Sequence, residues 1–265
     1  MKNRLKEKLL NGEKVFGTFH GIGNASLVEI IGYTGFDFVL LDTEHGPYDV
    51  VAAQEYIRAA KVAKVTPLVR VKDSQRNSLL KMLDVGACGI IIPNVKTKAE
   101  VEAIILDSKY APIGKRGFGP NSGNSFLTGE FSGKNLNQIF EIHNDETLVI
   151  PQCETKECLD QIEEIVALKG VDGIFVGPYD LSVALGCPGE TNSPLLIKAM
   201  ERVIDACKRQ EKFSFIYCQT LEEVKQRIDM GYNAITYSMD SLIFVEACEK
   251  MLKTMRGFTR NRERE

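Results

Sequence analysis

Short apolar runs alternate along the chain with longer amphipathic stretches, and turn-forming residues separate them. The runs at 15–19, 38–42, 67–71, 89–92, 148–152, 173–176, 213–217 and 234–237 have the length and continuity of buried strands. Between them, apolar positions recur at helical spacing over 25–33, 50–63, 77–85, 99–108, 157–168, 195–209, 221–230 and 242–255. Strict alternation of strand and helix implies a parallel sheet. Eight such units in roughly 250 residues predict an α/β fold closed as a TIM (β/α)8 barrel. An open doubly wound sheet is the alternative, but no G-x-G-x-x-G follows the first strand to support it. No linker divides the chain, so residues 1–256 read as one domain and 257–265, GFTRNRERE, as a charged tail. One segment breaks the rhythm. Residues 110–145 are rich in Gly, Asn and Ser and longer than an ordinary connection, which suggests a lid, a binding loop or an oligomer contact.

In a barrel, the residues that follow each strand share one rim. The second strand, FVLL, breaks abruptly into Asp42, Glu44 and His45 before Gly46 and Pro47. Arg70 closes the third strand, Pro93 and Asn94 follow the fourth, and Gln152 and Glu154 end the fifth. Gly177, Pro178 and Asp180 follow the sixth. Burying such groups without partners is costly, so they serve a polar network or chemistry. Glu154 and Asp180 on neighbouring strand ends, with Gln152, suit a hard divalent cation, which takes one or two carboxylates plus water and substrate. The plainer alternative makes Asp180 a helix cap. A guanidinium at Arg70 must pair with Asp42 or Glu44 or bind a substrate oxyanion. His45, beside acids at the rim, is placed for general-base work, or else is a satisfied core histidine.

Composition narrows the classes further. An apolar fraction of 44% with 26% charged residues is that of a soluble globular protein. A net charge of −3 gives no reason to expect nucleic acid or an anionic membrane surface. There is no secretory signal and no apolar stretch long enough to span a bilayer. The seven cysteines are scattered and lack a C-x-x-C pair, which predicts reduced thiols in a cytoplasmic protein.

The segments GFDFVLLDTEHGP, TPLVRV, MLDVGACGIIIPNV, SKYAPIGKRGFG, VIPQCET and GVDGIFVGPYDLSVALG, in that order, carry a resemblance. The chain resembles the HpcH/HpaI aldolase family over nearly its whole length. That resemblance implies a class II pyruvate aldolase on a phosphoenolpyruvate/pyruvate-type barrel. Such an enzyme cleaves a 4-hydroxy-2-oxo acid, such as 4-hydroxy-2-oxoheptanedioate or 2-dehydro-3-deoxyglucarate, to pyruvate and an aldehyde. It implies Mg²⁺, Mn²⁺ or Co²⁺ on Glu154 and Asp180, acting as a Lewis acid that stabilises the pyruvate enolate. It also implies Arg70 at the enolate oxygen and His45 as base, with Asp84 as the dyad partner that orients it. Phe19 would be an aromatic wall, Gln152 would lie near pyruvate, and Gly177 and Pro178 would shape the pocket floor. A hexamer and a place in aromatic-compound catabolism are implied as well. Asp84 rests on the resemblance alone; read locally, it is a solvated acid late in a helix. The chain departs from the family at Phe19, where relatives carry Trp, and at 120–125, which are expected to touch the aldehyde end of the substrate.

Other readings compete. A Schiff-base aldolase would need a buried lysine, but Lys72 and Lys96 stand just beyond their strands rather than within them. A related lyase acting on a CoA thioester, or a non-catalytic barrel binding a small carboxylate, completes the set.

Overall fold

The computed structural model describes residues 2–260. Eight parallel strands close into a barrel in sequence order: β1 (Val15–His20), β2 (Phe38–Asp42), β3 (Thr66–Arg70), β4 (Gly89–Ile92), β5 (Leu148–Cys153), β6 (Gly173–Val176), β7 (Phe213–Cys218) and β8 (Ala234–Met239). The predicted TIM barrel is therefore the fold. The strands are short and almost wholly buried because helices cover the outside while side chains fill the inside. The outer layer includes α2 (Ala25–Tyr33), α3 (Val50–Val62), α4 (Arg76–Asp84), α5 (Lys98–Ser108), α10 (Pro194–Arg209) and α11 (Leu221–Met230). A second, smaller cluster fills the barrel, with Phe38, Leu40, Leu68, Ile91, Leu148, Ile150, Phe175 and Phe215 at its centre.

Two helices went unanticipated by periodicity. A first helix, α1 (Arg4–Leu10), buries Leu5 and Leu9 in the same cluster as the barrel interior and so closes one end. Within the 110–145 segment, α6 (Leu136–Glu146) starts at a capping box between Asn135 and Gln138. The helix that the cap reading of Asp180 supposed is the short α9 (Pro178–Ala184) after β6; it starts earlier, with Gly177 at the cap, proline in its first turn and Asp180 within that turn. The stretch 157–168, expected as one helix, is two: α7 (Lys156–Asp160) and α8 (Ile162–Val166). They break at Gln161, whose backbone leaves the helical region while its side chain accepts the Lys98 N–H at 3.1 Å. A hydrogen bond to the neighbouring unit replaces continuity of the helix. The last helix, α12 (Asp240–Arg260), continues through the first four residues of the expected tail, and 261–265 lie outside the described residues. Among the described residues, no helix is long and apolar enough to cross a membrane, and all seven cysteines are free thiols.

Connectivity decides where the long segment goes. It leaves the C-terminal end of α5 and returns to the start of β5, so it lies at the opposite end of the barrel from the rim. There Tyr110 stacks on Phe140 at 4.6 Å, and Gly123 packs against the backbone of Leu83 and Asp84. Within one chain, residues 120–125 do not reach the rim where substrate was expected to meet them.

The interior tolerates no extra volume at Gly89, where a Cβ would stand 2.8 Å from the Leu148 Cβ and 2.9 Å from the Leu68 Cδ2. Gly89→Ala is expected to destabilise the fold by about 1–3 kcal/mol through overpacking. Urea denaturation checks this, with the midpoint falling and the slope unchanged.

Candidate active site

Alternation along each strand builds the site. Leu40, Leu68 and Ile150 point into the barrel, and two residues on, Asp42, Arg70 and Gln152 form the next inward layer at the C-terminal rim. Asp42 and Arg70 are register partners on adjacent strands. Arg70 donates from Nε (2.9 Å) and Nη2 (2.7 Å) to the two carboxylate oxygens of Asp42, and its Nε lies 3.2 Å from Glu44 Oε2. Its guanidinium stacks on the Phe19 ring at 4.7 Å. Burial would push the Arg70 proton off, but the Asp42 and Glu44 carboxylates more than offset it and hold the guanidinium charged. Asp42 Oδ1 also accepts the N–H of Glu44 at 3.1 Å, which fixes the turn leading to His45.

A second polar layer lies behind the first. The Tyr48 hydroxyl donates to the His20 carbonyl at 2.6 Å and accepts the Asp42 N–H at 2.7 Å, tying the ends of β1 and β2 together. His20 is fully buried, and its Nδ1 approaches Asp240 Oδ2 to 2.8 Å, off the line of an ideal hydrogen bond. Asp240 also accepts the N–H groups of Gly21 (3.0 Å) and Ile22 (3.2 Å). Burial alone would raise the Asp240 carboxyl, but His20 and these N–H groups hold it below the usual carboxylate range. Sequence reading missed Tyr48 and gave Asp240 no role beyond a place after the eighth strand. Asp240 offered only a polar residue directly after a strand, too common to single it out, and Tyr48, six residues beyond β2, offered no signal.

The acids divide into two environments. Glu154 is buried, with Oε1 accepting the Asn94 N–H at 2.7 Å and Oε2 accepting from the Gln152 amide. Asn94 presents that N–H from a left-handed backbone, a conformation Asn tolerates. Burial pushes the Glu154 carboxyl up, the Asn94 and Gln152 bonds only partly oppose it, and the charges of Asp180 and Glu44 push it further. Glu44 is raised by burial too, against the pull of Arg70 and His45. Asp180 stands exposed in the first turn of α9. Gly177 lets these groups meet: a Cβ there would stand 2.8 Å from Glu154 Oε2 and 3.0 Å from Gln152 Nε2. Together with Pro178, it lines a cavity of about 150 Å³ that Phe19, His45, Arg70, Gln152 and Asp180 also line.

These residues fit a divalent cation. Gln152 Oε1 is buried with no hydrogen-bond partner, and two acids are driven toward their neutral forms by burial and mutual repulsion. Among the described residues, no group of three or more His, Cys, Asp or Glu is arranged to hold a metal unaided. A cation here would hence take two carboxylates and leave positions for water and substrate.

The structure does not bring Asp84 to His45 within one chain. His45 is on the rim with its side chain 73% exposed and its Nε2 3.9 Å from Glu44 Oε2. Asp84 ends α4, at the far end of the barrel, and accepts from Arg116 Nη2 at 2.7 Å. A helix following β3 runs back along the barrel, so its last residue cannot share a rim with the end of β2.

The HpcH/HpaI aldolase/citrate lyase family model matches residues 16–247. The chain belongs to that family. It is 29% identical over 255 residues to a 5-keto-4-deoxy-D-glucarate aldolase of Escherichia coli, an alignment covering 96% of this chain and 97% of the relative. An HpcH/HpaI aldolase from Desulfitobacterium hafniense superposes with a TM-score of 0.87 at 30% identity, covering 95% of this chain and 96% of the other. The citrate synthase SbnG superposes with a TM-score of 0.87 at 29% identity, covering 97% and 99%. As a member of the HpcH/HpaI family, the protein is a carbon–carbon lyase of the aldolase type acting on small molecules.

The Asp240 network predicts a pH-dependent stability. A carboxyl lowered by folding stabilises the native state above its unfolded value and loses that contribution as pH falls through the folded value. Asp240→Asn should therefore be least stable relative to the parent near pH 7. The gap should shrink as pH falls below about 4, the ordinary aspartate value. Chemical denaturation at a series of pH values measures it.

Proposed function

We propose that the protein is a divalent-metal-dependent pyruvate aldolase that reversibly cleaves a 4-hydroxy-2-oxo acid to pyruvate and an aldehyde. The observation that carries this reading is the rim itself. A charged Arg70 and Asp180 line one small cavity at the end where barrels place their chemistry, with Glu44 held on Arg70 and Glu154 held on Gln152 beside it. When bound on Glu154 and Asp180, Mg²⁺, Mn²⁺ or Co²⁺ supplies Lewis acidity at the 2-oxo group. Arg70, locked by Asp42, adds fixed positive charge where the keto oxygen becomes anionic. Gln152 orients the Glu154 carboxylate beside pyruvate. Phe19 packs against the bound acid, and its ring lacks the N–H donor of an indole. His45, exposed on the rim, takes the C4 hydroxyl proton as the C3–C4 bond breaks.

Asp84 can orient His45 only if it comes from a second copy of the chain. The exposed apolar residues Phe244, Val245, Met251 and Met255 on α12 support assembly into a homo-oligomer, and the family resemblance suggests a hexamer. The similarity to a citrate synthase favours a second reading, in which a CoA thioester is the reacting partner. Turnover of a thioester with none of any free 2-oxo acid would favour it.

The primary test is a retro-aldol screen over 4-hydroxy-2-oxo acids, coupling pyruvate release to NADH oxidation. Chelation by EDTA should abolish release, and Mg²⁺ or Mn²⁺ should restore it; full activity in chelator would sink the proposal. Metal binding has its own readout. At about 100 times its dissociation constant, Mn²⁺ should add about 2.7 kcal/mol of stability. That gain should vanish in Glu154→Gln, while the metal-free variant is at least as stable as the parent.

The shared dyad predicts complementation. His45→Ala and Asp84→Ala should each be nearly inactive. Oligomers reassembled from an equal mixture should regain about a quarter of parental turnover, since random pairing restores that share of sites in a symmetric assembly. No recovery on mixing would remove Asp84 from the site.

A further inference from the structure

Resting on the pyruvate-aldolase reading, we infer that the acceptor aldehyde is uncharged and packs an apolar or aromatic substituent on a strip formed by Phe19, Tyr217, Tyr179 and Met239. This is a departure from the dicarboxylates that family resemblance suggests.

The strip is continuous with the pyruvate end of the cavity. The Phe19 ring lies under the Arg70 guanidinium, meets Tyr217 edge-on at 5.8 Å, and Tyr217 in turn meets Tyr179 at 5.9 Å. Phe175 backs Phe19 from below at 6.1 Å. Tyr179 is 38% exposed, so the strip runs from the buried cation outward to solvent, the direction in which an aldehyde substituent must extend. Tyr217 donates its hydroxyl to the Gln219 side-chain oxygen, and burial pushes that phenol up to about 12, so the ring stays neutral where it lines the cavity. Met239, from the end of β8, lines the same cavity.

The strip offers an anionic substituent no free cationic side chain. Among the described residues lining the cavity, Arg70 is the one Lys or Arg, and its fork is committed to Asp42 and Glu44. A carboxylate on the aldehyde would lose hydration against aromatic faces and find no uncommitted Lys or Arg among the described residues lining the cavity. An alkyl or aryl group would gain from burial on the same faces.

The test is a competition between isosteres in the addition direction with pyruvate and Mn²⁺: 4-methylpentanal against succinic semialdehyde, which replaces the terminal isopropyl group by a carboxylate. Exchange of the pyruvate methyl protons for deuterium is followed in parallel, because it reports enolate formation without any aldehyde. The expected result is exchange, with kcat/KM at least about ten-fold higher for the neutral aldehyde. Tyr217→Lys and Tyr179→Lys, each normalised to its own exchange rate so that losses of folding cancel, should narrow or invert that ratio. Should the buried Tyr217 variant fail to fold, the more exposed Tyr179 variant carries the test. Exchange with equal or greater turnover of succinic semialdehyde, or a ratio unmoved by the lysines, overturns the inference and leaves the aldolase reading intact. Absence of exchange with Mg²⁺, Mn²⁺ and Co²⁺ overturns both.

Discussion

Strands β2 and β3 end in register on a carboxylate and a guanidinium, and Arg70 binds both oxygens of Asp42 across that step. Both groups are buried, so removing either partner would leave an uncompensated charge, a change that typically costs about 3–5 kcal/mol. The pair orients more than itself. Asp42 also receives the N–H of Glu44, and through its own N–H it meets Tyr48, which reaches the end of β1. Arg70 is thereby a fixed charge over Phe19 rather than a mobile side chain, and a fixed charge is what stabilises a developing oxyanion without reorganisation.

Around that pair the rim is deliberately unbalanced. Asp42 is matched by Arg70, and Asp240 is satisfied by His20 and two backbone N–H groups. Glu154 has no cationic partner and Glu44 shares Arg70 with Asp42, and both are driven toward protonation. An acid held in a buried site without a cation costs stability. Its retention beside an unpartnered Gln152 oxygen makes sense if a cation and a bound oxo acid complete the set.

Strands at 38–42, 89–92 and 173–176 are apolar runs bounded by turn residues, and they fold over those residues. Such runs are legible because both faces of a parallel sheet are buried, so hydrophobicity alone marks the strand. Helices were less legible where a cap or a tertiary bond overrides periodicity, as at Asn135 and Gln161. The rim residues Asp42, Glu44, His45, Arg70, Gln152, Glu154 and Asp180 were found because each follows or ends a strand, and barrel closure collects such positions on one face. The pairing of His20 with Asp240 was not legible because it depends on β8 closing on β1, and Tyr48 was not because it acts from the loop six residues beyond β2.

The order of apolar runs and turns, by itself, determined an eight-unit α/β barrel and which residues would gather at its C-terminal rim. Period and connectivity are local properties, and closure follows from their repetition. Only the tertiary structure decided which charges pair and which are left over. It also put Asp84 and residues 120–125 at the opposite end from His45, because a helix after a strand must run back along the barrel. Spacing in sequence fixes the end of the barrel at which a residue emerges, whereas partners are set by register across strands and, for Asp84, by whatever chain stands next to this one.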